Sequence, residues 1–290
     1  MRLSTMTNLI YRPAPDGRSF IHAVRLAHKV GFRVMDFNMC PLQRGETELA
    51  GDNWQELVYE IADEAAGLGI EFSQSHLPYP KASVRRRSNT DEGCERNEFF
   101  MRMTERAVSI SGMLGVKWAV VHPVQRGMDT DFDDDLKYNH EIYDRYFEAA
   151  SAAGVGLAFE NMADVDAHRR FGTTPAELNA IVASYDSPYA GICWDFGHAN
   201  RTYADQCAAL REAGPALRAT HLDDNLGKDD LHTVPFIGTV KWPQVMNILR
   251  QVNYSGDLTY ELSVYRRMPD ELLLPTVEYV YKVGKYLMSL

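Results

Sequence analysis

Two rhythms of apolar residues alternate along the chain. Short runs rich in branched and aromatic residues occupy 2–7 (RLSTMT), 33–38 (RVMDFN), 70–76 (IEFSQSH), 117–123 (KWAVVHP), 155–161 (VGLAFEN), 189–195 (YAGICWD), 217–224 (LRATHLDD) and 257–263 (DLTYELS). Between them, over 20–31, 53–69, 97–115, 139–154, 174–185 and 241–252, apolar residues recur every three to four positions. The first pattern reads as strand and the second as amphipathic helix. The first three helical stretches close on Gly31, Gly69 and Gly115, as expected where a chain leaves a helix through the left-handed region. Pro175 sits early in 174–185, where its missing N–H is no loss.

A strand followed by a helix, repeated, implies parallel strands, because each helix carries the chain back to the starting edge of the sheet. Eight repeats predict a (β/α)8 barrel of the α/β class. A doubly wound sheet with a small second domain is the structural alternative. No Pro/Gly/Ser linker, low-complexity tract or break in composition marks such a boundary, so one domain over 1–290 is expected.

Composition narrows the classes further. Hydrophobic residues make up 45% and charged residues 24%, the balance of a globular protein with a substantial core. The formal charge of -10 argues against a nucleic-acid partner, since phosphate contacts need clustered Lys and Arg. The one dense basic cluster, Val84–Ser88 with Arg85, Arg86 and Arg87, reads as a solvated loop. Cys40, Cys94, Cys193 and Cys207 form no C-x-x-C pair, so reduced thiols are expected rather than a zinc knuckle or a disulfide framework. The amino terminus lacks the apolar core of a signal peptide, and no run approaches the length of a membrane span. The sequence therefore predicts a cytoplasmic protein with no membrane partner.

In a barrel of this kind the chemistry gathers at the carboxyl ends of the strands. The runs end on, or lead directly to, His76, His122, Glu160, Asp195, His198, His221, Asp230, His232 and Glu261. Taken singly, each has an ordinary explanation: a satisfied core histidine, or a carboxylate capping the next helix. Taken together they converge on one volume, where uncompensated carboxylates would repel one another. A divalent cation resolves the conflict. Carboxylate oxygens with an imidazole nitrogen suit Mn, Zn, Co or Fe better than Ca, and Glu160, Asp195, His221 and Glu261, each from a different strand, are the expected ligands.

The segments FEN (159–161), WDFGHAN (194–200), HLDDNLGKDDLHTVPFIGTVKW (221–242) and YELS (260–263) resemble the xylose isomerase-like TIM barrels, and within them the sugar-phosphate isomerase/epimerase branch. The resemblance runs over nearly the whole chain. It implies one divalent ion, usually Mn2+, with Zn2+, Co2+, Fe2+ or Mg2+ as alternatives, held by Glu160, Asp195, His221 and Glu261. It also implies a small sugar or sugar-derivative substrate and a homo-oligomer, dimers and tetramers being usual among such proteins. His198 matches a position that touches substrate in ketose 3-epimerases. Two departures stand out: Asp166 where those epimerases carry Glu, and Gly227 followed by Lys228 where they carry Arg.

The expected chemistry is proton transfer next to a carbonyl through an enediolate, with Glu160 and Glu261 as the acid/base pair. His76, His122, His198, His232 and Lys228 are expected to contact substrate, and Asp230 to hold the geometry of the histidines. Arg12, Arg85–Arg87, Arg126, Lys228, Arg266 and Arg267 can serve a phosphate or face solvent. Trp118, Trp194 and Trp242 are expected in the core rather than against a sugar. The rival reading comes from the same superfamily: class IV apurinic endonucleases use a three-zinc site with nine ligands, and all nine strand-end residues named above are of compatible type. A dehydratase or lyase acting on oxidised sugars or C-glycosides would share the enolization machinery. A barrel kept only as a binding scaffold would be expected to have lost ligands, and all four are present.

Overall fold

The computed structural model describes residues 1–79, 91–127, 129–165, 168–262 and 268–290, with the side chains of 91–94 excepted. The basic cluster at 84–88, Asp166, Ser263, Arg266 and Arg267 lie outside the described residues.

Eight parallel strands close a barrel in sequence order, β1 (Leu3–Met6), β2 (Val34–Asn38), β3 (Glu71–His76), β4 (Trp118–Val121), β5 (Gly156–Glu160), β6 (Ala190–Asp195), β7 (Leu217–Leu222) and β8 (Leu258–Tyr260). Each falls inside its predicted run. Closure is made by β1, which pairs with β2 on one side and β8 on the other. The doubly wound alternative is thereby excluded.

The helices ring the barrel: α1 (Ser19–Val30), α2 (Trp54–Leu68), α3 (Asp91–Met113), α4 (Phe132–Ala152), α5 (Pro175–Tyr185), α6 (Phe196–Thr202), α7 (Cys207–Ala213), α8 (Trp242–Gln251) and α9 (Asp270–Ser289). α2 ends on Gly69 in the left-handed conformation at φ 66°. α5 begins with a capping box, Thr174 accepting from the Glu177 amide while the Glu177 carboxylate accepts from the Thr174 amide; two amide donors that would otherwise be orphaned at the helix start are thus satisfied. α4 starts earlier than its apolar pattern suggests. Asp131 caps it by accepting from the Asp134 amide, and Asp133, Asp134 and Asp135 fill its first turn, where carboxylates meet the positive end of the helix dipole.

Outward strand residues such as Leu3, Met35, Phe37, Phe72, Leu157, Ile192, Leu258 and Tyr260 pack against the helices in one continuous core. Trp194 and Trp242 are fully buried there. Each indole N–H is satisfied, by Gln206 Oε1 at 3.0 Å and by Asp224 Oδ2 at 2.9 Å respectively. No helix among the described residues is long and apolar enough to cross a membrane.

Candidate metal centre at the carboxyl ends of the strands

Strand alternation decides what reaches the barrel mouth. Because successive side chains of a strand face opposite ways, the last inward positions of β3, β5, β6 and β7 are His76, Glu160, Asp195 and His221. His122 and Glu261 follow just beyond β4 and β8. Glu160, Asp195 and His221 are fully buried, and the Glu261 side chain is 16% exposed.

The expected four ligands meet. One donor atom each from Glu160, Asp195, His221 and Glu261 lies within 4.8 Å of all the others. His221 Nδ1 is 3.0 Å from Glu160 Oε1, 2.9 Å from Glu261 Oε2 and 3.9 Å from Asp195 Oδ2. Asp195 is shared between two tasks: its Oδ1 accepts from the His198 amide at 2.6 Å and so caps α6, while its buried Oδ2 has no hydrogen-bond donor. Glu160 Oε2 is likewise buried without a hydrogen bond, although His122 Nε2 lies 3.0 Å away and His76 Nε2 3.4 Å. Orphaned carboxylate oxygens facing one volume beside an imidazole are what a divalent cation would satisfy. The donor set fits such an ion.

The remaining predicted histidines surround this set. His122 Nε2 is 3.1 Å from His76 Nε2, and the Tyr79 ring stacks on His122 at 4.6 Å between centroids. His76 Nδ1 lies 3.1 Å from Cys40 Sγ and 2.9 Å from the Leu77 carbonyl oxygen. On the other flank, His198 Nε2 and His232 Nε2 each lie 3.3 Å from Asp230 Oδ2, so Asp230 lies between the two histidines. His232 Nδ1 is 2.9 Å from Asp223 Oδ2. Lys228 is the exception: its side chain is exposed, no contact joins it to the cluster among the described residues, and its carbonyl accepts from Arg201. Arg126 pairs with Glu141 on the surface.

Proton affinities here follow from burial and mutual charge. Burial pushes the Glu160 carboxyl up, but His221, His122 and His198 outweigh it and hold it well below the ordinary carboxylate range. Burial likewise raises Glu261, and His221 overrides it to bring the group down to about 2. Asp195 goes well above its usual value, through burial and then the nearby Asp223 carboxylate. Burial brings His122 down to about 4. Burial lowers the His221 imidazole, but Cys193, Glu261 and Glu160 outweigh it and hold the ring well above its ordinary value. A metal needs neutral imidazole and ionised carboxylate, so its binding would displace protons from His221 and Asp195.

Sequence reading missed three contributors. Asp223 is fully buried, with neither oxygen hydrogen-bonded, and its carboxylate joins Asp195, His232 and Glu261 in a second possible ligand group. Asn161 clasps the end of β6: its Oδ1 accepts from the Asp195 amide at 2.6 Å and its Nδ2 donates to the Asp195 carbonyl at 3.0 Å. Tyr79 is the third. Gly197 leaves the space that the Asp223 carboxylate fills, since a Cβ there would overlap it.

The fold and the site define a barrel of the xylose isomerase type. The sequence profile of the xylose isomerase-like TIM barrel matches residues 24–282, and the chain belongs to that family. The uncharacterized protein y4fM of Sinorhizobium fredii is 23% identical over 276 residues, 86% of this chain and 83% of that protein. Among solved structures, the fold matches D-psicose 3-epimerase from Clostridium cellulolyticum H10 with a TM-score of 0.74 at 16% identity, covering 99% of both chains. It also matches 3-keto-D-glucoside 4-epimerase, YcjR, from E. coli, with a TM-score of 0.70 at 17% identity over 97% of this chain and 99% of that one.

Proposed function

We propose that this protein is a divalent-metal-dependent isomerase or epimerase of a sugar or sugar derivative, acting by proton transfer next to a carbonyl. The observation that carries the reading is the convergence of Glu160, Asp195, His221 and Glu261 within 4.8 Å of one another, with the Glu160 and Asp195 oxygens left unpaired. The structural likeness to sugar epimerases agrees with it. Held by these four residues, a divalent ion, Mn2+ by preference, would act as a Lewis acid toward the substrate's carbonyl and neighbouring hydroxyl oxygens.

The chain's own residues do the rest. Glu160 stays ionised among its imidazoles and accepts a carbon-bound proton. Glu261, partly open to the mouth, takes up a proton from water there and delivers it to the other face or to the adjacent carbon, and Glu160 gives its own proton back to solvent to close the cycle. His122 and His76 flank Glu160 Oε2 and, with His198 and His232, orient hydroxyl groups. Asp230 fixes His198 and His232 in place, and Tyr79 adds an aromatic wall beside His122.

Glu160→Gln and Glu261→Gln should keep the far-ultraviolet circular dichroism of the parent and abolish solvent-deuterium incorporation into a panel of free ketoses and 3-keto-glycosides. Undiminished exchange in both variants would remove the two carboxylates from this role.

One observation favours a second reading. His198, Asp230 and His232 also bring donor atoms within 4.8 Å of one another, as do His76, Glu160 and His221, and His122 lies against Glu160, so the mouth offers donors for more than one ion, as a three-zinc phosphodiesterase acting on abasic DNA would need. The charge of -10 weighs against a DNA substrate. Elemental analysis separates the readings: one ion per chain fits the sugar enzyme, whereas about three zinc ions together with cleavage of abasic-site DNA would replace it.

A further inference from the structure

The floor of the barrel, at the amino ends of the strands, holds a cavity of about 430 Å³, within the span of about 300–1,000 Å³ common to small-molecule sites. Two irregularities of the sheet lead to it. The β2–β3 ladder pairs Met35 with Phe72 and then Asp36 with Gln74, and the β6–β7 ladder pairs Ile192 with Leu217 and then Cys193 with Ala219. Ser73 and Arg218 are the residues passed over, and both line the cavity. An extra residue of this kind re-aims a side chain out of the ordinary alternation of its strand.

For Arg218 the new direction is inward. Ala158 and Cys193 belong to the small cluster inside the barrel, so alternation turns Gly156 and Gly191 the same way. A Cβ at Gly191 would overlap the Arg218 stem, and one at Gly156 would overlap the Trp118 indole. The two glycines thus leave room on the floor for an arginine and a tryptophan side by side, with the guanidinium carbon 5.8 Å from the indole centroid. Trp118 packs upward on Val120, Ala158, Cys193 and Ala219 and is only partly buried, lining the cavity below.

The charges of the floor do not cancel. Arg2, Lys117 and Arg218 line the cavity against Asp257. Arg2 is committed to Asp257 and Glu71, and the Lys117 ammonium lies 3.3 Å from Glu71 on a side chain that is 68% exposed. Arg218 has no carboxylate partner among the described residues. Its Nη1 donates to the carbonyls of Pro215 and Leu217 at 3.1 and 2.9 Å, which anchors the group and leaves the Nε–Nη2 edge without a hydrogen bond among those residues. Three cations therefore face two carboxylates, a positive spot in a chain of formal charge -10. The open edge of a guanidinium held in one orientation suits two oxygens of one phosphoryl group. Lys117 can reach a third, and Trp118 offers an apolar surface to whatever carries the phosphate.

We propose that the floor cavity is a second small-molecule site, which takes a phosphate monoester through Arg218 and Lys117 with the organic part against Trp118. The inference goes beyond the reaction proposed above and does not depend on it. Roughly 10 Å of strand separates Arg218 from His221 on β7, so a ligand on the floor does not compete with one in the mouth. Spanning the starts of β3, β4, β7 and β8, it stabilises the closed barrel by mass action, because the unfolded chain has no such site.

The test is calorimetric titration of the purified protein with glycerol 3-phosphate, inorganic phosphate and glycerol in turn. Saturable binding of glycerol 3-phosphate is expected, tighter than that of inorganic phosphate and absent for glycerol, with a thermal midpoint that climbs as the ester is added. Arg218→Met should raise the dissociation constant of the ester by about tenfold or more, and Lys117→Met by about threefold. Glu160→Gln, at the other end of the strands, should leave it unchanged. Failure of the parent to bind the ester would overturn the proposal, as would a parent-like constant in Arg218→Met, which would place the ligand elsewhere. Inorganic phosphate bound as tightly as the ester would overturn the role given to Trp118. Lys117 is exposed and its replacement leaves the fold alone, so a parent-like constant in Lys117→Met overturns the proposal even if Arg218→Met fails to fold.

Discussion

At the level of single residues, Asp195 shows how the site is held without a ligand. It ends β6, caps α6 through the His198 amide, and is clasped on both sides of its own peptide by Asn161, which leaves one oxygen free for the cluster. Gly197 makes room for the Asp223 carboxylate that faces His232 at 2.9 Å. Gly197→Ala would force Asp223 to rotate away, and an overpacked buried position of this kind costs about 1–3 kcal/mol, readable as a lower urea midpoint together with weaker metal retention. Gly67→Ala is the contrast. It lies inside α2 with open space where the methyl would go and no positive φ, so it should be neutral or raise stability by about 0.5–1 kcal/mol. Glu160, Asp195, His221 and Glu261 were legible in the sequence because each is a polar residue closing an apolar run. Asp223 and Asn161 were not, because each stands in a run that already ends on a ligand, His221 or Glu160, and only the folded chain shows that a further polar residue of the run also turns to the cluster. Lys228, read as a substrate contact, keeps an exposed side chain on the connection that also carries Asp230 and His232.

Among the elements, strands and most helices follow from periodicity, and the exceptions have physical causes. The first turns of α4 are acidic rather than amphipathic, so their signal is the cap at Asp131 and not an apolar face. α9 carries Pro275 near its start, which blurs its pattern, and α6 is one short stretch capped by a residue that also serves the cluster. The long connection from β7 to α8 has no periodicity, yet it is tightly built around Asp224. That carboxylate accepts from the amides of Asn225 and Val240 on Oδ1 and from the Phe236 amide and the Trp242 indole on Oδ2. The network holds the stretch that carries Asp230 and His232 over the mouth. Asp224→Ala would strand four donors, each worth about 1–3 kcal/mol when buried and unpaired. The expected loss exceeds about 3 kcal/mol in urea unfolding, with faster hydrogen exchange at the Phe236 and Val240 amides. Asp224→Asn should recover only part of it, since one acceptor oxygen becomes a donor.

For the whole molecule, the sequence implies eight parallel strands, but closing them requires β8 to find β1 across the length of the chain. Arg2 clamps that seam from below. Its Nε and Nη2 donate to Asp257 at 2.8 Å each, and Nη1 donates to Glu71 at 2.6 Å, tying together the strand starts of β1, β3 and β8. Asp257 is 8% exposed and Glu71 41%, so the first contact matters more and the second is discounted for solvent screening. The hydrogen bond from Arg2 holds the Glu71 carboxyl below its ordinary value. A carboxyl whose folded value is depressed stabilises the fold above its unfolded value, and that contribution disappears as pH falls through the folded value, because the unfolded chain takes up the proton first. Arg2→Ala should therefore cost about 1–3 kcal/mol at neutral pH, mostly from the stranded Asp257 carboxylate, and should flatten the decline of stability between about pH 5 and pH 3. Glu71→Gln should cost under about 1 kcal/mol and remove the same part of the slope. Urea unfolding of the three proteins across that range is the measurement, and an Arg2→Ala curve parallel to the parent's would mean that packing of the seam, not its charges, keeps the barrel closed.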